Sequence, residues 1–298
     1  MKICITGASG FVGTNLSKYL EQYNYQIQKF SFRENTLSQI DTKSQAIIHL
    51  AGKAHDTKNI ANEKEYFEIN TELTKQLFDY FISSSINDFI YFSSVKAAAD
   101  EVEKILLEDE LPNPKTPYGR SKLSAEEYIL SKQLPENKRL IIIRPCMIHG
   151  PNNKGNLNLL YKVVSKGIPY PLGNFKNERS FLSIANLNFV LKSILEKKSV
   201  KSDIYNLCDD AFISTNRIIE IIASVQNKKP RIWYLPTTLI NNLARLGDIL
   251  KLPLNSERLK KLTENYRVSN NKIKLALEIE NMPTKAEDGL LNTIRSFR

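Results

Sequence analysis

Seven residues near the start of the chain, Gly7-Ala8-Ser9-Gly10-Phe11-Val12-Gly13, constrain its fold more than any other stretch. They follow a strand-like run, Lys2–Thr6, and open a helical pattern over Gly10–Tyr23 in which Phe11, Leu16, Tyr19 and Leu20 are apolar. Glycines so placed allow a tight turn, let the backbone approach a pyrophosphate and let the helix pack near a sheet. The helix N-terminus adds unpaired N–H groups and a partial positive charge. A glycine turn alone says little. Directly behind the first strand of an α/β pattern, it predicts dinucleotide binding.

That pattern continues along the chain. Tyr25–Phe32 reads as a second strand, and Ala46–Leu50, Phe89–Ser93 and Leu140–Arg144 as short apolar runs suited to strands buried on both faces. Glu63–Ser84 and Ser121–Leu134 read as the helices between them. A parallel sheet flanked by helices follows. After Gly150, prolines at 151, 169, 171, 230, 236, 253 and 283 break up shorter elements. A dinucleotide-binding domain over 1–151 and a smaller lobe over 152–298 are expected, with 180–208 returning to the sheet through a helix at Asn186–Glu196 and a strand at Ile204–Leu207.

Composition narrows the function. A 298-residue chain that is 42% hydrophobic and 25% charged can bury a substantial core. The net charge is +10, but the basic residues are scattered, with Lys197-Lys198, Lys228-Lys229 and Lys260-Lys261 the only Lys-Lys pairs. This favours anionic small molecules over nucleic acid. Cys4, Cys146 and Cys208 lie in apolar runs without CxxC spacing, as reduced buried thiols of a cytosolic protein do. His49, His55 and His149 lack metal-ligand spacing, so no metal is expected. No targeting segment and no apolar run near the ~18–20 residues of a membrane helix is evident. The reading is cytoplasmic, with no membrane partner.

Tyr118 and Lys122 stand four apart in Pro117-Tyr118-Gly119-Arg120-Ser121-Lys122, which puts both on one helix face. A free tyrosine, with a pKa of about 10, is a poor base near neutrality. A neighbouring ammonium stabilises the phenolate, so the pair suits proton exchange with a hydroxyl or a ketone. Ser94, at the end of the run Phe89–Ser93, is placed to hold the reacting oxygen. YxxxK by itself is common; behind a glycine turn and a Ser-Ser at a strand end, it reads as catalytic. The second strand leads to Arg33, which suits the 2′-phosphate of NADP, while the adjacent Glu34 leaves NAD open.

Together these residues resemble the extended short-chain dehydrogenase/reductases, the NAD-dependent epimerase/dehydratase family. The resemblance runs through Gly7–Gly13, His49-Leu50-Ala51-Gly52, Asn70, Ser93-Ser94, Tyr118-x-x-x-Lys122 and Arg144-Pro145. It continues into Gly155-Asn156-Leu157, Arg179-Ser180-Phe181 and Asn281-Met282-Pro283. It implies a Rossmann-type doubly wound parallel sheet with a smaller C-terminal substrate-binding lobe. Gly7, Gly10, Phe11, Val12 and Gly13 would then lie against the pyrophosphate. Leu50, Ala51 and Gly52 would line the cofactor, with Asn70, Ser93 and Pro145 near it and Lys122 on the nicotinamide ribose. Asn156, Leu157 and Arg179 would hold the nucleotide diphosphate of a sugar substrate, with Arg258 adding a phosphate contact. Two departures stand out. About a dozen residues separate Arg33 from Ala46, too few for a strand-and-helix unit that many relatives carry, and Ser94–Ala99 ends without the usual glycine.

The resemblance also bears on the reaction. Nucleotide-sugar 4,6-dehydratases carry Asp-Glu after the active-site hydroxyl residue, where this chain has Val95-Lys96. The segments around Ser94, Pro117–Lys122, Lys154-Gly155-Asn156 and Gly167–Arg179 look most like enzymes that reduce UDP-N-acetyl-4-keto-6-deoxyhexosamines in bacterial surface-polysaccharide synthesis. A UDP-sugar 4-epimerase with tightly held NAD would use the same three catalytic residues, and a non-catalytic dinucleotide sensor is a third reading. A homodimer pairing the helices Glu63–Ser84 and Ser121–Leu134 is expected by resemblance.

Overall fold

A computed structural model describes residues 1–53, 62–153, 155–251 and 255–297; His55, Lys154 and Pro253 lie outside the described residues. The strands in chain order are β1 (Lys2–Thr6), β2 (Gln26–Phe30), β3 (Ala46–His49), β4 (Asp88–Phe92), β5 (Ile105–Leu106), β6 (Arg139–Pro145), β7 (Met147–His149), β8 (Phe181–Ser183), β9 (Asp203–Leu207) and β10 (Arg267–Val268). Six of them form one parallel sheet in the order β2-β1-β3-β4-β6-β9.

The apolar runs become inner strands because both sheet faces are covered. On one face Ile3, Ile5, Ile48, Ile90 and Ile143 pack against Leu16 and Leu20 of helix Phe11–Glu21 and against Leu187, Leu191 and Ile194 of helix Ile184–Glu196. On the other, Cys4, Ile47, Phe89, Tyr91 and Ile142 meet Leu77, Phe78 and Phe81 of helix Leu73–Ser83 and Ile129 of helix Pro117–Leu130. The alternation of Ile3, Cys4 and Ile5 between the two layers is the two-residue strand period. β9 joins beside β6, with Ile141 opposite Asp203 and Pro145 opposite Leu207.

Three boundaries differ from the sequence expectation. β2 stops at Phe30, because Glu34 and Asn35 both turn their N–H groups back to the Ser31 carbonyl, at 3.1 and 2.9 Å. Between it and β3 lies only a 3-10 turn, Leu37–Gln39, as the short spacing required. The single helix expected over Glu63–Ser84 is broken by a π-helical turn, Phe67–Glu72, between Glu63–Tyr66 and Leu73–Ser83. The helix expected from Ser121 starts at Pro117: Thr116 caps it by accepting from Gly119 N at 3.2 Å, and proline suits the first turn.

The C-terminal residues build a separate core in which Leu157, Ile218, Ile222, Leu290 and Ile294 meet, drawn from helices Asn156–Ser165, Thr215–Val225 and Ala286–Arg295. The three cysteines are buried and unpaired, and burial pushes the Cys4 thiol up to about 12. Among the described residues no cluster of His, Cys, Asp and Glu could hold a metal ion, and no helix is long and apolar enough to cross a membrane.

Candidate active site

The sheet reverses its direction of growth at β1, which has β2 on one side and β3 on the other. Ligands of open α/β sheets sit outside the strand ends at such a switch point. Gly7 follows β1 with φ +66°, and a Cβ there would come within 2.7 Å of Ala51 N and 2.9 Å of the Leu50 carbonyl carbon. The turn after β1 and the segment Leu50–Gly52 after β3 are thus in backbone contact that only glycine permits. Gly10 donates to Gly7 O at 3.0 Å and takes the N-cap position of helix Phe11–Glu21 without a side-chain cap. A Cβ on Gly13 would strike the Gly7 carbonyl oxygen. Phe11 and Val12 are half-buried against the sheet core. Arg33 is exposed beyond the edge strand, its N–H held by Ser31 Oγ at 3.3 Å.

A buried chain of hydrogen bonds connects this turn to the helix that carries Tyr118. The parallel register brings Thr6, His49 and Tyr91 side by side at the strand ends. Ala51 N donates to Thr6 Oγ1 at 3.1 Å, and Thr6 Oγ1 is 2.6 Å from His49 Nδ1. Thr74 Oγ1 donates to Asn70 O at 2.7 Å, so its oxygen is left to accept from His49 Nε2, 2.9 Å away. His49 therefore carries its proton on Nε2 and accepts from Thr6. Burial, with the Lys122 charge nearby, lowers its pKa to about 3 and keeps it neutral. The π-helical turn places the buried Asn70, whose Oδ1 accepts from Lys53 N at 2.7 Å and whose Nδ2 donates to Ser121 Oγ at 3.0 Å. Such turns recur at functional sites.

Tyr118 and Lys122 share one face of helix Pro117–Leu130. Lys122 is buried and donates to the Phe92 carbonyl oxygen at 2.8 Å; burial lowers its pKa to about 8, against a raising effect of Glu126. That carboxylate grips Arg144 at the far end, Nε to Oε1 at 3.0 Å and Nη2 to Oε2 at 2.5 Å, both side chains almost fully buried. Tyr118 lies edge-on to Tyr66, ring centroids 6.1 Å apart. Burial raises its pKa, a hydrogen bond with Ser94 lowers it, and Tyr66 raises it again. Ser94 Oγ accepts from Lys96 N at 3.1 Å, which leaves its own proton to donate toward the phenol oxygen. The loop beyond Ser94 closes as a 3-10 turn, Val95–Ala97, so the missing glycine is not needed there.

Gly119 was not singled out from the sequence, although it lies inside the Tyr-Lys motif. A Cβ there would strike the Lys96 carbonyl oxygen and sit 2.8 Å from Pro114 Cβ. Its bare backbone is what lets the start of this helix lie against the 3-10 turn that follows Ser94. Lys96 itself crosses to the C-terminal residues: Nζ donates to Asp100 O at 2.7 Å and lies 4.1 Å from the Tyr266 ring centroid.

The remaining expected residues are more dispersed. Ser93 is buried, with its Oγ unpartnered among the described residues. Pro145 ends β6 beside Leu207. Asn156 is exposed at the first position of its helix, whereas Leu157 is packed into the C-terminal core. Arg179, half-buried, donates to the Lys261 carbonyl and, at 3.3 Å, to that of Glu264, at the end of helix Ser256–Thr263. Arg258 is exposed in the first turn of that same helix. The two arginines therefore stand at opposite ends of one helix.

The glycine cradle fits a dinucleotide. Gly7, Gly10 and Gly13 leave an uncapped helix start, and a Cβ on Gly52 would lie 2.9 Å from Asn70 Oδ1 and 3.2 Å from Lys122 Nζ. A model of the NAD dependent epimerase/dehydratase family matches residues 3–208. The chain belongs to that family. It is an NAD(P)-dependent enzyme of the kind that acts on nucleotide sugars. A UDP-glucose 4-epimerase of Vibrio cholerae is 29% identical over 260 residues, 80% of this chain and 79% of its own length. An N-acetyl-alpha-D-glucosaminyl-diphospho-ditrans,octacis-undecaprenol 4-epimerase of Escherichia coli is 25% identical over 91% of this chain and 88% of its own. A GDP-6-deoxy-D-mannose reductase of Pseudomonas aeruginosa is 24% identical over 75% and 80%. Among solved structures, the UDP-glucuronic acid 4-epimerase from Bacillus cereus in complex with NAD shares the fold with TM-score 0.75, 20% identity and coverage of 100% and 98%. RMD from Pseudomonas aeruginosa complexed with NADPH does so with TM-score 0.74, 20% identity and coverage of 99% and 98%.

Proposed function

We propose that this family member reduces the 4-keto group of a UDP-linked 4-keto-6-deoxy-N-acetylhexosamine, with NADPH as the preferred dinucleotide, in surface-polysaccharide synthesis. The observation that carries the reading is the hydrogen bond between Ser94 and Tyr118 beside the buried Lys122 amine. When bound, the reduced nicotinamide supplies a hydride. The chain does the rest. Tyr118 gives its proton to O4 of the sugar, and Ser94, its oxygen engaged by Lys96 N, turns its one proton from the phenol to the same O4 as negative charge develops there. Lys122 holds a positive charge in a buried site, which favours the phenolate left behind. Gly7, Gly10, Phe11, Val12 and Gly13 cradle the pyrophosphate, Leu50, Ala51, Gly52, Asn70, Ser93 and Pro145 line the dinucleotide, and Arg33 meets a 2′-phosphate. Asn156 and Arg179 hold the nucleotide diphosphate, with Arg258 adding a phosphate contact, while Leu157 packs in the C-terminal core. The enzyme works as a homodimer in the cytoplasm.

The likeness to a UDP-glucose 4-epimerase over 80% of the chain favours a second reading, epimerisation at C4 with retained NAD. The proton chemistry is the same with Tyr118 first acting as base. One experiment separates the two. Purified protein is denatured, the released dinucleotide identified, and NADPH consumption followed with a UDP-4-keto sugar. Net consumption supports the reductase. Bound NAD and interconversion of UDP-sugars without consumption replace it with the epimerase, and neither activity removes both.

A further inference from the structure

Helix Thr237–Leu250 buries only a narrow stripe, Ile240, Ala244 and Gly247. These pack toward Leu172 and Leu259. A second stripe at i, i+4, i+7 and i+11, formed by Leu239, Leu243, Leu246 and Leu250, points outward, each side chain 46–57% exposed. Ile249, at 77%, adds to it. The helix is entered through Trp233 and Tyr234, themselves 55% and 61% exposed. Aromatic residues of this kind sit well where apolar and wet surroundings meet. Together these residues expose apolar surface on the order of several hundred Å², the size at which a patch marks an interaction site.

The charge around this helix identifies the occupant. Residues 228–261 hold eight basic residues and two acidic ones, a net +6 of the chain's +10. The scatter of single lysines and arginines along the sequence conceals this concentration. Glu101, from outside this segment, pairs with Lys260, and the rest still sets net positive charge against net positive charge when a second copy is brought face to face here. An anionic lipid surface complements both the charge and the apolar stripe. At 14 residues the helix is too short to span a bilayer but suited to lie in its interface.

We propose that helix Thr237–Leu250 docks this enzyme on the surface of an anionic phospholipid membrane. A helix this short does not register in the sequence as a spanning run. Leu239, Leu243, Leu246 and Leu250 enter the acyl boundary, and Lys228, Lys229 and Arg231, all exposed, face the headgroups. The inference does not depend on which reaction the active site performs.

Cosedimentation of the full chain with vesicles of phosphatidylethanolamine and phosphatidylglycerol tests it. Binding is expected, weaker by about ten-fold or more with phosphatidylcholine vesicles or in about 0.5 M salt. The double variant Leu243→Glu/Leu246→Glu should lose about ten-fold or more of the binding, with unchanged melting temperature and unchanged turnover of a water-soluble sugar nucleotide. Lys228→Glu/Lys229→Glu, away from the helix, should weaken binding in the same direction. Tyr118→Phe should bind vesicles like the parent, which separates this inference from the catalytic one. Absence of vesicle binding by the parent chain overturns the proposal, as does binding by both double variants as strong as the parent's. Leucine variants that break an oligomer without changing vesicle binding would assign the face to a protein contact instead.

Discussion

Lys122 donates to the carbonyl oxygen of Phe92 at 2.8 Å, tying the helix that carries Tyr118 to the strand that delivers Ser94. That bond helps to set the separation of Tyr118, the proposed proton donor, from Ser94, the residue proposed to steady the reacting oxygen. Burial depresses the amine against the raising effect of Glu126, so its charge is present below about pH 8 and lost above it. Turnover at saturating substrate is expected to fall as pH rises past about 8. A Lys122→Met variant should lose about 10²–10⁴-fold in kcat. It should also melt higher than the parent at pH 7, because an ammonium held in a buried site is removed. A melting temperature that falls with kcat would make Lys122 a structural residue.

Replacing Tyr118 by Phe removes one oxygen and leaves the ring against Tyr66. The expected result is a loss of about 10²–10⁴ in kcat with dinucleotide affinity changed less than about three-fold, by titration calorimetry. Full turnover by Tyr118→Phe would end the catalytic reading.

Gly119 offers a sharper geometric test. Its missing Cβ is what allows the helix to lie on the Lys96 carbonyl. Gly119→Ala should displace Tyr118 from Ser94 and lower kcat by about ten-fold or more, while dinucleotide binding at the distant glycine turn persists. Equal loss of kcat and of cofactor affinity would mean general unfolding of the site.

Glu126 faces a different fate. It is the carboxylate partner of an almost fully buried Arg144. Glu126→Ala strands that charge and is expected to destabilise the protein by about 3–5 kcal/mol in urea unfolding. Glu126 also raises the Lys122 pKa, so the milder Glu126→Gln should move the alkaline fall in turnover to lower pH. A shift to higher pH would contradict the assigned electrostatics.

His49 gives the acid side. Its pKa, about 3 in the fold, lies below the 6.5 of the free side chain. Between those values the unfolded chain binds the extra proton, so stability present above about pH 6.5 is lost as pH falls toward 3. Unfolding midpoints in urea should therefore drop steeply over that range. A His49→Gln variant should start lower at pH 7, since it disturbs the Thr6 and Thr74 bonds, but show a shallower acid decline.

The sequence by itself determined the sheet strands, the glycine turn and the Tyr118–Lys122 face, because each depends on local periodicity or on spacing within one helix turn. It also carried the shortened connection after β2, since the fifteen residues between Phe30 and Ala46 cannot hold a further strand and helix. It did not show the π-helical turn at Asn70, the hydrogen bonds through His49, the Lys96–Gly119 contact or the ion pair of Glu126 with Arg144. Those partners lie 18 to 51 residues apart and meet only after parallel pairing aligns the strand ends. Nor could spacing show that Leu157 is spent on a core, or that one side of helix Thr237–Leu250 stays uncovered. An apolar stripe in sequence is the same whether a neighbouring helix covers it or not, and only packing decides which.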